Sequence, residues 1–325
     1  PPGSHTHKVQ TADALLLTNH ELFRSTEPAP VGMAIYDLSD PFAPRQIGFF
    51  DTGGRGIHRI VWEGGRFAYV SATPAGFTGR IWVIVDLIDP SRPTEAGRWW
   101  WPGMWTGGGE APDWPDAEDR QVHHAMVHGD RAYVGMWDSG MVILDLSDLA
   151  RPRMLSHLTW LEGGHTHTCL PLPGRSLVVV TDEAITEGCA GPAHMVRVVD
   201  VADETDPRVL SICPVPQGDF CERGLRFGAH NLHENRPHSY RSERLMFATY
   251  FNAGLRVYDL ADPAVPVEIA HWLPKCPPGQ QACQINDVFV GEDHLIYVTD
   301  RVNGGVYILR PEPSLDGVMS GAAST

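Results

Sequence analysis

Residues 81–93 read IWVIVDLIDPSRP. The first half is built of β-branched and aromatic side chains, the composition of a strand packed in a sheet. The second half is turn chemistry, in which aspartate side chains accept bonds from nearby backbone N–H groups and proline fixes φ. The phrase recurs as MAIYDLSDPFAP from Met33, VILDLSDLARP from Val142, VRVVDVADETDP from Val196 and LRVYDLADPAVP from Leu255. Its anchoring aspartates are Asp37, Asp86, Asp145, Asp200 and Asp259, spaced 49 to 59 residues apart. A worn sixth copy, GVYILRPEP from Gly305, has Arg310 in the anchor place.

Upstream of each anchor lies a pair of short strands folded at a glycine-containing turn, as in RIVWEGGRFAYVSA from Arg59, AMVHGDRAYVGMW from Ala125 and VFVGEDHLIYVTD from Val288. With a short outer strand after the Asp-Pro turn, each repeat has four strands. Four-stranded antiparallel units at this period are propeller blades, and closing them into a ring protects the sheet edges. The sequence therefore predicts an all-β chain. It is a single six-bladed β-propeller domain over 1–325, with blades at about 5–52, 53–104, 120–160, 163–216, 227–274 and 283–320. The outer strand of the sixth blade is sought in SLDGVMSG or in the extreme N-terminus.

The chain resembles the LVIVD-repeat β-propeller proteins, whose repeat is named for a tract like VIVD at 83–86. The resemblance runs over nearly the whole chain and implies the propeller fold. It implies no particular activity, because one propeller architecture hosts unrelated chemistries.

Composition narrows the partners. A formal charge of −15 and a pI near 5.4, with no basic stripe, argue against nucleic acid and anionic lipid. The longest apolar stretch, around Ile81 to Ile88, is broken by Asp86 and falls far short of the roughly 20 residues that span a bilayer, so no membrane segment is expected. PPGSHTHKVQ at the N-terminus lacks the basic and apolar regions of a secretory signal, which leaves export open. The six cysteines fall into neighbours, Cys169 with Cys189, Cys213 with Cys221 and Cys276 with Cys283. The expectation is a soluble protein, cytoplasmic or, if these pairs are disulfides, periplasmic or secreted.

Aligning the repeats on their first strands brings His7, His58, His124, His167, His230 and Asp287 to one position, the start of the innermost strand. In a propeller that position faces the central channel, so side chains from separate blades converge there. Imidazoles with a carboxylate suit a divalent transition metal, with iron, manganese or zinc foremost. Three or four would hold the ion and the rest would hold water or substrate. Taken singly, His123, His128, His233 and the remaining histidines read as structural; His165 is the exception, sharing a strand face with His167 under period-2 alternation.

The loops joining second to third strands open on the same end. They carry His20 and Glu21, Asp138, Asp182 and Glu183, Tyr250, Asp300 and Arg301 as candidate bases, acids and substrate ligands. The long connection from 97 to 124 adds Trp101 and Trp105, read as an aromatic wall that favours an aromatic or apolar small molecule. Together these features point to a metal-dependent lyase or hydrolase. A non-haem iron or copper oxygenase and a non-catalytic protein-binding scaffold stand as alternatives. Oligomeric state has no signature in the sequence.

Overall fold

A computed structural model describes residues 3–23, 28–160 and 164–321. They group into two compact units, 1–157 and 158–325, each carrying three sheets. In the first unit the sheets are β1 (Val9–Ala12), β2 (Leu15–His20), β3 (Gly32–Asp37) and β4 (Arg45–Asp51); β5 (Gly56–Val61), β6 (Phe67–Thr73), β7 (Ile81–Asp86) and β8 (Thr94–Trp99); and β9 (His124–His128), β10 (Arg131–Gly135), β11 (Met141–Asp145) and β12 (Arg153–Leu158). In the second they are β13 (Thr166–Leu172), β14 (Leu177–Asp182), β15 (Val196–Asp200) and β16 (Arg208–Ile212); β17 (Leu245–Thr249), β18 (Leu255–Asp259) and β19 (Val267–Trp272); and β20 (Ile285–Val290), β21 (Ile296–Asp300) and β22 (Gly305–Leu309). Within each sheet consecutive strands are neighbours in an antiparallel meander, and the six sheets are the blades of a six-bladed β-propeller.

The repeated phrase folds as its chemistry dictates. Asp37, Asp86, Asp145, Asp200 and Asp259 each accept a backbone N–H two residues on, at 2.8–2.9 Å, ending the third strand in an Asx turn. Arginines close over several of them, including Arg66 on Asp86 and Arg244 on Asp259. The third strands of the first five blades are buried almost throughout, as in Ile81 to Val85, whereas β22 is half exposed. Ile81 to Val85 pack with Leu17, Ile35, Ile60, Val70 and Val142 in the first unit's core.

Two blades depart from the expected four strands. Beyond Leu309 the chain forms a helix, α1 (Pro313–Met319), rather than an outer strand. Pro313 at its start has the φ a first helical turn wants, and Leu315, Val318 and Met319 cover the core of the sixth blade. The extreme N-terminus is committed elsewhere, its strand β1 pairing with β2. In the fifth blade the innermost strand shrinks to a bridge between Leu232 and Ala248, with His233 N–H donating to the Phe247 carbonyl.

The cysteines follow the neighbour rule in one pair of three, Cys276 with Cys283, and depart from it in the other two. Cys189 bonds to Cys221, and Cys276 to Cys283, while Cys169 and Cys213 are buried thiols. Cys169 lies buried inside β13, so its place in the sheet, not its short distance along the chain from Cys189, keeps it a thiol.

Candidate metal centre

Strand register fixes which residues share the innermost position. The residue paired with the end of the second strand is Arg59 opposite Ser71, His124 opposite Gly135, Thr168 opposite Thr181 and Asp287 opposite Thr299. The residues just before them are therefore equivalent: His58, His123, His167 and Asn286. Hydrogen bonds of Asn19 N–H to the Lys8 carbonyl and of Asn231 N–H to Thr249 Oγ1 add His7 and His230 to the same position. His124 and Asp287 thus belong one residue further on, and the sequence alignment is off by one in the third and sixth blades. In β5, β13 and β20 the shared position is a bulge, with the register slipping across His58, His167 and Asn286. A bulge releases one residue from the ladder and re-aims its side chain.

In the first unit His7, His58 and His123 stand side by side, with ring centroids 5.0 Å apart for the first pair and 4.9 Å for the second. Glu21, the residue after β2, lies behind them. Its oxygens are 3.1 Å from Nδ1 of His58 and 3.5 Å from Nδ1 of His7. Nε2 of His58 meets Nε2 of His123 at 3.1 Å. Two imidazole nitrogens bound about 2.1 Å from one ion are about 3.0–3.4 Å apart for ordinary coordination angles. The gap therefore accommodates one proton or one metal ion.

Burial sets the charges here. It holds His58 and His123 well below the usual histidine pKa, and Arg80 and Arg59 push the same way, so both rings are neutral and suited to metal. Burial also raises Glu21 to about 7 against the opposing pull of Arg80, Arg59 and Arg55. Gly56, at φ +93°, starts β5 where a Cβ would lie 2.2 Å from the His20 carbonyl oxygen, so the Gly-x-His phrase requires glycine. Beside these residues opens a cleft of 410 Å³, lined by Glu21, His58, Arg55, Arg80, Asp119 and Gln121 among others. His5, His7 and Glu21 also bring ligand atoms within 4.8 Å of one another.

In the second unit Glu183, just past β14, is 4.0 Å from Nε2 of His167 and 3.6 Å from Nε2 of His230, whose rings are 4.4 Å apart. Arg226 donates to Glu183 at 3.0 Å.

Several predicted site residues have other partners. Asp182 is fully buried in an ion pair with Arg197; burial raises its pKa to about 6, and the arginine opposes that rise. Asp138 accepts the Asp119 N–H, and Asp300 accepts N–H groups of Gln284, Val302 and Asn303 in a turn. Tyr250 is wholly buried beside Phe227 and Tyr258, and burial raises its phenol. Arg301 occupies in the sixth blade the place that Glu21 and Glu183 hold in the first and fourth, two residues past Asn19, Thr181 and Thr299. His165, at φ +57° and ahead of the β13 bulge, leaves the face of His167 and stacks on His194 at 5.6 Å.

The tryptophans form no wall to the cleft. Trp101 packs on His157 and under Arg120, while Trp105 packs against Trp100 and Phe77. Glu110 accepts from the Trp100 indole and from the N–H groups of Gly103 and Trp105, tying the loop to itself. The cleft is polar instead. Sequence reasoning missed Arg55, Arg80, Gln121 and the role of His123; the one signal for Arg55 was its place in the Gly-Arg-Gly before His58.

The six sheets define the class, a six-bladed β-propeller, two of whose blades carry LVIVD repeats. The LVIVD repeat family matches residues 56–99 and 119–159, the second blade and the third. No curated protein matches the chain. Among solved structures it is similar to a protein from Lactobacillus plantarum (13% identity, TM-score 0.60, covering 92% of this chain and 82% of that one). A periplasmic gluconolactonase from Pseudomonas aeruginosa is similar at 11% identity and TM-score 0.61, with 93% and 84% covered. A hypothetical selenium-binding protein from Sulfolobus tokodaii is similar at 12% identity and TM-score 0.55, with 91% and 74% covered. At these identities the likeness is one of fold.

Proposed function

We propose that this propeller is a metal-dependent hydrolase or lyase acting on a small anionic molecule held in the cleft beside His58. The observation that carries the reading is the 3.1 Å approach of His58 Nε2 to His123 Nε2, with Glu21 at 3.1 Å behind His58. His58 and His123 hold the ion, with His7 as a third imidazole; zinc, manganese and iron(II) fit such a set. The ion supplies Lewis-acid polarisation and an acidified water.

The chain's own groups do the rest. Glu21 accepts the Nδ1–H of His58 and so leaves Nε2 as the coordinating nitrogen. Its pKa near 7 lets the same carboxyl take up or release a proton at neutral pH. Arg55 and Arg80 line the cleft and favour a carboxylate or phosphate, which replaces the apolar substrate suggested by the tryptophans.

The test is elemental analysis of metal-replete protein followed by turnover of lactones and carboxylate esters, with lactones first because one protein sharing the fold is a gluconolactonase. Bound metal with metal-dependent hydrolysis or elimination supports the reading. Protein that binds no divalent metal overturns it, as does an iron form that consumes O₂ and hydrolyses nothing.

A further inference from the structure

The two halves of the chain repeat one set of phrases. His5-Thr6-His7 precedes the first blade's inner strand, and His165-Thr166-His167 leads into the fourth's. Gly56-Ile57-His58 opens the second blade, and Gly228-Ala229-His230 the fifth. Glu21 and Glu183 stand at the same position past β2 and β14, whereas the other blades have Thr73, Trp137, Phe251 and Arg301 there.

Backbone bonding repeats as well. Glu21 N–H donates to the His5 carbonyl at 3.1 Å, and Glu183 N–H to the His165 carbonyl at 2.8 Å. Arg55 donates to the carbonyl of Leu22 and Arg226 to that of Ala184, in each case the residue after the glutamate. The repeat unit of the site is therefore three blades, with one His, Glu, His, Arg set in each half.

Side-chain orientation differs between the halves. Nδ1 of His167 is bonded to Thr168 Oγ1 at 2.7 Å, and Nδ1–H of His230 donates to the Asn286 carbonyl at 2.8 Å. Those bonds turn both Nε2 atoms toward Glu183 and leave it as a ligand, whereas Glu21 faces the Nδ1 atoms and serves as a support. Arg226 takes up part of the Glu183 charge through Oε1.

We infer that the second half carries its own divalent metal site, formed by His167, His230 and Glu183, so that the chain binds two ions, one per half. Two imidazoles and one carboxylate on one side of an ion suit iron(II), manganese(II) or zinc(II). The inference extends the reading above and uses none of its ligands.

Apo protein prepared by chelation is titrated anaerobically with iron(II), manganese(II) or zinc(II) alone, and bound metal is counted by calorimetry and elemental analysis. Two equivalents are expected. Glu183→Ala and His230→Ala should each retain one, and His58→Ala should retain the other. Glu183→Gln serves as the near-isosteric control should the alanine variant fail to fold, with its thermal transition checked against the parent. One equivalent that is insensitive to Glu183 overturns the second site and leaves the first standing. One equivalent lost in both sets of variants means a single shared ion and overturns the inference. No bound metal overturns both readings.

Discussion

Glu21 and His123 lie on opposite edges of the same imidazole ring, the carboxylate at Nδ1 of His58 and the second histidine at its Nε2, each 3.1 Å away. The carboxylate thus decides which nitrogen of His58 bears the proton. Glu21→Gln removes that control while keeping the side chain's size. Metal affinity should fall about 10- to 100-fold, the usual cost of losing such an orienting partner. Competition against a chromophoric chelator measures it, and unchanged affinity would remove Glu21 from the site.

Register separates His123 from its neighbour. His123→Ala should lose the ion bound by the first half, because its Nε2 is one of the two facing nitrogens. His124→Ala should keep it, since His124 sits in the ladder opposite Gly135. The reverse result would show that the ring begins one residue later, as the sequence alignment has it.

Arg80 lines the cleft, and its Nε–H is spent on the Val122 carbonyl at 3.0 Å. Arg80→Met should raise KM for an anionic substrate about 10- to 100-fold with a smaller change in kcat, the cost of one charge-assisted hydrogen bond. A neutral substrate of the same shape should show little change. Equal effects on both would point to a folding defect.

Cys189 and Cys221 close a loop spanning a sequence separation of 32. Cross-linking a loop of that size lowers unfolded-chain entropy by about 3–4 kcal/mol. Cys189→Ser should lower stability in urea by up to that amount, and reductant should do the same to the parent protein. Identical midpoints with and without reductant would show that the pair is not bonded in solution.

His233 is buried, with Nδ1 accepting the Val290 N–H at 3.2 Å and Nε2–H donating to the Tyr240 carbonyl at 2.7 Å. Burial lowers its pKa to about 4, while the Tyr240 carbonyl, Glu234 and Asp287 pull it up and Arg236 pulls it down. The unfolded chain therefore binds the extra proton between about pH 6.5 and 4, and the folded one does not. Stability from this group is full above about 6.5 and is lost as pH falls toward 4, a change of about 3 kcal/mol. His233→Gln should flatten that part of the stability profile by close to one proton; parallel profiles would contradict the assignment.

Much of this architecture was legible from one repeated phrase, because strand alternation and the aspartate-anchored turn are local and survive in five of the six copies. That His7, His58, His167 and His230 hold one equivalent place at the start of their blades was legible for the same reason. What escaped was set by pairing across strands. Bulges and early strand starts displaced His123 and Asn286 by one residue, and nothing in the third or sixth repeat taken alone announces them. The loop residues divided according to neighbours far along the chain: Asp182 found Arg197, while Glu183, next to it, found two histidines. Trp105 was read as a cleft wall because its ring partners, Phe77 and Trp100, come together only in the fold.

The bulges at His58, His167 and Asn286 have an evolutionary corollary. A residue lifted out of the ladder stands outside the paired register, so its replacement leaves the pairs on either side, such as Ile57 with Ala72 and Arg59 with Ser71, in place. Chemistry at that position is thereby decoupled from the folding of the blade. A histidine can give way to an asparagine, as in the sixth blade, without renegotiating the core, and the fold can sample new ligand sets one blade at a time.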